Sequence, residues 1–449
     1  MRRRDFFAAA AGAALTPAMA QATQPNIILI LADDLGYGDL GCYGQRQIQT
    51  PHLDRMASEG VRFTQAYAGS TVCAPSRCAY MTGLHTGHCR TRGNRYPDLP
   101  LRPQDWTITE LLRDTGYRTG IIGKWSLGNL GSSGYPTRKG ADTWFGFFSQ
   151  GHAHNFYPEH LLDGDSAHLL RGNFGAKRTE YAHDLFTDRA LAFIADRDPR
   201  PFFLHLAYTI PHANNEMGRD TGDGMEVPSY GAYADRSWPN PEKGFAAMIA
   251  RMDADIGRLF EQLKRTGKDR DTVVIFSSDN GPHQEGGHSP KFFESSGPLK
   301  GIKRDLYEGG IRVPTIARWP GRIPEGKVSD AVWAHWDLLP TCAELAGVNP
   351  PRGLDGRSAV KALMGGEGPG HEYLYWEFHE RGFHQAIRHG DWKGVRFGRT
   401  ARLELYNLAE DIGERNNLAA KNPEIVKKLE ALLASARVDS EVWPVREKR

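Results

Sequence analysis

The sequence predicts an α/β fold, with a large, mostly parallel central sheet flanked by helices and a smaller C-terminal α+β subdomain. Three observations carry that expectation. Continuous apolar runs recur at residues 26–32, 201–207 and 272–278, and a strand covered on both faces needs such a run. Helix-period segments fall between them, at 109–115, 184–195 and 245–266, and strands alternating with helices imply parallel crossovers. Composition then shifts near Asn349-Pro350-Pro351 and again across the glycine-rich residues 365–370.

Each apolar run ends in polar residues. Asp33-Asp34 follow the first, His212 lies beyond the second, and Asp279-Asn280 follow the third. Ligands collect at the C-terminal edge of parallel strands, so these are the first site candidates. Past residue 365, strand character at 373–378, 385–388 and 392–396 precedes a closing helix over 423–437. The expected division is a leader over 1–20, the main domain over 21–365, and a subdomain over 366–449 with a small antiparallel sheet and a closing helix. No internal repeat is visible.

The chain has 449 residues, 40% hydrophobic and 24% charged, which is globular composition with length enough for one large core and an appended piece. A net charge of +2 supplies no polycationic surface for nucleic acid, so none is expected as a partner. Arg2-Arg3-Arg4-Asp5-Phe6-Phe7 precede a short apolar run of small residues, and Ala18-Met19-Ala20 supply an A-x-A cleavage site. That reads as a twin-arginine export signal, with a short amphipathic helix as the plain alternative. The run is too short to span a bilayer and no later segment approaches that length. The expected location is therefore periplasmic or secreted, with the twin-arginine export machinery as a partner and no stable membrane insertion. Five cysteines, at 42, 73, 78, 89 and 342, leave at least one unpaired and match no zinc spacing.

Asp33, Asp34, Asp279 and Asn280 offer three carboxylates and an amide oxygen. Asp at a strand end is commonly only a turn former. Three carboxylates gathered together repel unless a cation intervenes, and hard oxygen donors suit calcium, or less well magnesium, better than zinc. A fifth element is Cys73-Ala74-Pro75-Ser76-Arg77, followed by Met81-Thr82-Gly83. Taken alone, the pentad could be a helix entrance starting with a buried cysteine.

With its continuation, that pentad resembles the maturation site of type I sulfatases, formylglycine-dependent and arylsulfatase-like members of the alkaline phosphatase superfamily. Residues 116–125, ending Gly123-Lys124-Trp125, resemble the second signature of that family, and residues 301–314, with Lys303, resemble a further sulfate-binding run. Other similar segments lie at 82–87, 136–147, 318–321 and 405–408, so the resemblance spans nearly the whole chain after the leader. It implies an alkaline-phosphatase-like sandwich and hydrolysis of sulfate esters. It also implies that a maturation enzyme oxidises Cys73 to formylglycine (3-oxoalanine). Cys73, Arg77, Lys124, His212 and Lys303 are the implied catalytic residues. Lys124 and Lys303 hold sulfate, His212 protonates the leaving alcohol, and Cys73 joins Asp33, Asp34, Asp279 and Asn280 around calcium.

The chain departs from the family at Ser126, where histidine is usual after Lys-Trp. That histidine is thought to help expel sulfate, and serine can hydrogen-bond there but is no base near neutral pH. If another base serves, His85, His205 and His283 are candidates, because they lie in or beside matched segments. Glu308 reads as a structural hydrogen-bonding residue. Two alternatives stay open: a phosphonate or phosphate-ester hydrolase of the same superfamily, and a non-catalytic binder of sulfated glycans. The expected substrate is a sulfated small molecule or oligosaccharide, with sulfated carbohydrate first. Tyr375-Trp376-Glu377-Phe378-His379, with His384 and Gln385, is the expected sugar-binding rim.

Overall fold

The computed structural model describes residues 24–445; the expected leader over 1–20 lies outside the described residues. Ten strands form one sheet. In chain order they are β1 (Asn26–Ala32), β2 (Val61–Phe63), then, after the two-residue β3 (Ala66–Tyr67), β4 (Arg118–Gly123), β5 (Thr143–Gly146), β6 (His160–Asp163), β7 (Ser166–Leu169), β8 (Phe202–Ala207), β9 (Thr272–Ser278), β10 (Thr315–Arg318) and β11 (Lys327–Ser329). Across the sheet the order is β11-β2-β10-β9-β1-β8-β4-β5-β6-β7, and only β10 and β6 run against the rest. The block β9-β1-β8-β4-β5 is parallel throughout.

The apolar runs become central strands because both of their faces are buried. Ile28, Ile30 and Ala32 join Leu204, Leu206, Val274 and Phe276 in one core. Ile27, Leu29 and Leu31 join Phe203, Val273 and Ile275 in the other. Alternation along a pleated strand thus feeds two cores at once, each full side chain contributing roughly 1.5–3 kcal/mol. The helices Ala182–Ala195 and Asn240–Arg265 cover the first core, and the second lies under Cys73–Thr82, Ile108–Asp114 and Leu338–Leu345. Asn240–Arg265 presents Phe245, Ile249, Met252, Ile256, Leu259 and Leu263 at helical spacing. Ile108–Asp114 starts in a capping box between Thr107 and Glu110.

After the short β12 (Trp333–Ala334) come β13 (Leu374–Phe378), β14 (His384–His389), β15 (Trp392–Phe397) and β16 (Glu404–Asn407), a four-stranded antiparallel meander. The helix Pro423–Ser435 packs Leu429 and Leu433 against Tyr375, Ile387 and Leu405. The opposite face, with Trp376, Phe378, Ala386 and Val395, packs on Tyr67, Trp336 and Ile311.

A buried polar knot joins the meander to β3, which pairs with β12 in a separate two-stranded sheet. Glu308 accepts from Lys393 of β15 at 2.8 Å, Tyr67 of β3 at 2.7 Å and Arg312 at 3.1 Å, while its own N–H donates to Glu414 at 2.7 Å. These contacts make Glu308 a structural residue. The chain end also returns to the main body. Val438 donates to the carbonyl of Gly87 at 3.2 Å and accepts from Arg92 at 2.9 Å.

Candidate active site

Four neighbouring strands deliver side chains to one edge. Asp279 and Asn280 follow β9, Asp33 and Asp34 follow β1, His212 sits in the loop after β8, and Lys124 follows β4. Cys73 opens the wholly buried helix Cys73–Thr82, one turn before Arg77. Lys303 arrives on the loop before Glu308. Two glycines allow the backbone to close here. At Gly123 φ is +110°, and a Cβ would stand 2.0 Å from the carbonyl oxygen of Ala207; at Gly281 it would stand 1.9 Å from that of Gly309.

The side chains form one charge-paired cluster, all buried. Arg77 donates twice to Asp279 Oδ2, at 3.1 and 2.7 Å, and once to the carbonyl of Lys124 at 2.6 Å. Lys124 Nζ lies 2.5 Å from Asp33 Oδ2, and the Cys73 thiol donates to Asp33 Oδ1 at 3.2 Å. Lys303 donates to Asp34 at 2.7 Å, to Glu285 at 3.1 Å and to His212 Nε2 at 3.2 Å. Asp34 adopts φ +66° and donates its N–H to Asp279 at 3.2 Å, a left-handed conformation that costs energy and collects at functional sites.

Burial and charge together set the protonation states. Burial opposes ionisation of Asp33, but Lys124, His212, Arg77 and Lys303 outweigh it and hold the carboxyl well below its ordinary range. Asp279 goes the other way: burial and the neighbouring Asp33 push it up to about 7 despite Arg77. Burial, with Asp33 beside it, raises the Cys73 thiol well above its usual value. Burial and the Lys303 ammonium lower His212 to about 3.

The oxygen donors fit a hard divalent cation. Asn280 donates from Nδ2 to Asp34 at 2.7 Å, yet its Oδ1 is buried with no hydrogen-bond partner. An orphaned acceptor beside three buried carboxylates is what a calcium-type ligand set presents. Cys73, Asp33, Asp34 and His212 also bring ligand-type atoms within 4.8 Å of one another.

The structure therefore gathers Cys73, Arg77, Lys124, His212, Lys303, Asp33, Asp34, Asp279 and Asn280. Ser126 is buried at φ +66°, and its hydroxyl has no partner. Two of the alternative histidines lie elsewhere: His85 pairs with Asp355 and stacks on His88, and His205 is buried inside β8 against the Tyr80 hydroxyl at 2.8 Å. His283 borders the site, but one nitrogen meets the carbonyl of Pro211 at 2.9 Å and the other accepts from the Glu285 N–H. The expected sugar rim is corrected. Tyr375, Trp376, Glu377, Phe378 and Gln385 are buried, because both faces of β13 are covered.

Sequence reasoning missed Glu285, which links Lys303 to Arg304 at 2.6 Å, and His154, whose ring stacks on His212 at 5.1 Å and 17°. Glu285 had a signal in its position soon after Asp279-Asn280. His154 had one in the pair His152-Ala153-His154.

The family model described as Sulfatase matches residues 25–348, and that of the N-sulphoglucosamine sulphohydrolase C-terminal region matches 302–439. Human arylsulfatase A is 34% identical over 96% of this chain and 91% of its own length. An N-acetylgalactosamine-6-O-sulfatase of Bacteroides thetaiotaomicron is 27% identical over 92% and 93%. The crystal structure of Ps i-CgsB superposes with a TM-score of 0.81 at 29% identity, covering 95% of this chain and 96% of that one; its complex with k-i-k-neocarrahexaose gives 0.80 at 28% over the same shares. A site of paired cations and carboxylates at the strand edge, on a fold and sequence shared this widely, makes the chain a member of the sulfatase family and a sulfuric ester hydrolase.

Proposed function

We propose that this hydrolase removes sulfate from a sulfated carbohydrate, using formylglycine made from Cys73 and calcium held by Asp33, Asp34, Asp279 and Asn280. The observation that carries this is the state of Cys73. Its thiol is buried and held protonated beside Asp33, so as cysteine it is a poor nucleophile, yet Arg77, Lys124 and Lys303 surround it. An oxidised residue 73 would supply a nucleophilic oxygen, and the cation would polarise the sulfuryl group. Arg77, Lys124 and Lys303 neutralise charge on the sulfuryl oxygens. Nδ1 of His212 is engaged by the carbonyl of Ala213 at 2.6 Å, so Nε2 faces the site, where it accepts from Lys303 at 3.2 Å; on this reading it passes the ammonium's proton on to the departing oxygen.

The carbohydrate assignment rests on relatives named for N-acetylgalactosamine-6-sulfate and on the carrageenan-oligosaccharide complex. Among the described residues no helix is long and apolar enough to cross a membrane. Export by the twin-arginine route to the periplasm or beyond, a separate subdomain from residue 366, and a maturation enzyme as partner complete the reading. Its test is peptide mass spectrometry across Cys73 on protein from the native host, with turnover of aryl sulfate and aryl phosphodiester compared. Formylglycine with preference for sulfate is expected. Unmodified Cys73 in active protein overturns the mechanism, and preference for the phosphodiester overturns the substrate class.

A further inference from the structure

The residue after Trp125 is serine, so the usual position supplies no base. A histidine nevertheless reaches the site from elsewhere. His154 belongs to the short 3-10 turn His152–His154, and its ring lies nearly parallel to His212 at 5.1 Å between centroids. Burial and the charges of Lys124 and Lys303 lower its affinity for a proton, so it lies within electrostatic range of the two lysines.

His154 is also oriented. Its Nδ1 lies 3.0 Å from Glu216 Oε2, so the carboxylate holds the proton on Nδ1 and leaves Nε2 with a free lone pair. Nε2 has no hydrogen-bond partner among the described residues. Glu216 is itself placed by the helix Asn215–Thr221, whose cap Asn214 accepts from the Met217 N–H at 3.0 Å, and its other oxygen accepts from Arg219 at 2.8 Å. A base, a carboxylate that fixes its tautomer, and a nearby anion site are the parts of an acid–base dyad. Ser126 is buried with an unpartnered hydroxyl and offers no competing base.

We propose that His154, positioned by Glu216, is the base that completes sulfate release in this chain. The inference rests on the formylglycine reading. After sulfuryl transfer, Nε2 takes the proton of the hydroxyl remaining on residue 73. The O–H electron pair re-forms the carbonyl, and the bond from that carbon to the sulfate oxygen breaks with its pair leaving on sulfate. Glu216 is a positioning residue, and His212 handles the other proton, that of the leaving alcohol.

The test uses the matured full-length enzyme. His154→Ala should lower kcat on aryl sulfate by about 10²-fold or more, give a burst of phenol release, and leave acid-quenched protein one sulfuryl group heavier by intact mass. Glu216→Gln, a milder change, should lower kcat with KM unchanged. Adding Ser126→His to His154→Ala should restore at least tenfold of the loss and remove the heavier species. If His154→Ala keeps kcat within a few-fold and no heavier protein accumulates, or if only KM rises, the assignment is wrong. A wild type with neither formylglycine nor sulfate turnover overturns instead the reading on which it rests.

Discussion

Lys303 Nζ stands 3.2 Å from Nε2 of His212, while the carbonyl of Ala213 engages Nδ1 of the same ring at 2.6 Å. The imidazole is therefore fixed in one tautomer with its lone pair toward the ammonium. Lys303→Met removes the cation proposed to face the sulfuryl oxygens and the hydrogen-bond donor to His212 together. It should cost 10²–10³-fold in kcat. Because the two residues act as a unit, the double variant Lys303→Met/His212→Ala should lose little more than the worse single variant. Additive losses in steady-state kinetics would show that they work separately.

Cys73→Ala should abolish turnover and leave calcium binding and the fold largely intact, because the oxygen donors come from β1 and β9. Elemental analysis, thermal melting and aryl sulfate hydrolysis read the three quantities. Activity close to wild type in this variant would remove residue 73 from the chemistry.

Asp279→Asn keeps the side-chain shape and removes its charge. Bound calcium and activity should disappear together. The variant should also melt earlier, since buried Arg77 loses the carboxylate that accepts two of its hydrogen bonds; stranding one partner of such a pair costs about 3–5 kcal/mol. Stoichiometric calcium in purified Asp279→Asn protein would place the metal elsewhere.

Glu414 provides a pH-dependent stability prediction outside the charge-paired cluster. Burial raises its carboxyl from 4.5 to about 7, with Lys393 opposing the shift, whereas Glu308 is held near 2 and does not titrate in that range. A raised folded-state value favours the protonated form. The stability it contributes is complete below about 4.5 and is lost as pH rises through 7, by up to about 3 kcal/mol. Glu414→Gln should abolish that loss, so the Tm of the variant should gain on wild type between pH 5 and pH 8. Parallel curves would show that Glu414 does not titrate there.

Much of the fold was legible because the central strands are buried on both faces. Residues 26–32 and 272–278 read as unbroken apolar runs and become β1 and β9 with those bounds. Short or exposed strands gave no such signal. All of β7 is exposed, and β2 and β11 span three residues each. The antiparallel insertion of β10 beside β9 is a tertiary choice without local pattern. In β13 the aromatic run has the composition of a binding rim, yet Tyr375 and Trp376 pack in different cores. At the site, residues within the family signatures could be found from sequence. The pairing of His154 with Glu216 could not, because it forms between a 3-10 turn and a short helix well separated in the chain.

The return of the chain end to Gly87 and Arg92 sets an order of events during synthesis. Cys73 leaves the ribosome long before Val438, whose contacts secure the segment just beyond the cysteine's helix. At ~5–20 residues per second the interval is on the order of tens of seconds. In the finished fold Cys73 is 0% exposed. On the proposed mechanism, an enzyme that oxidises the thiol would have this translational window to act in, and C-terminal closure of the fold would bring the opportunity to an end.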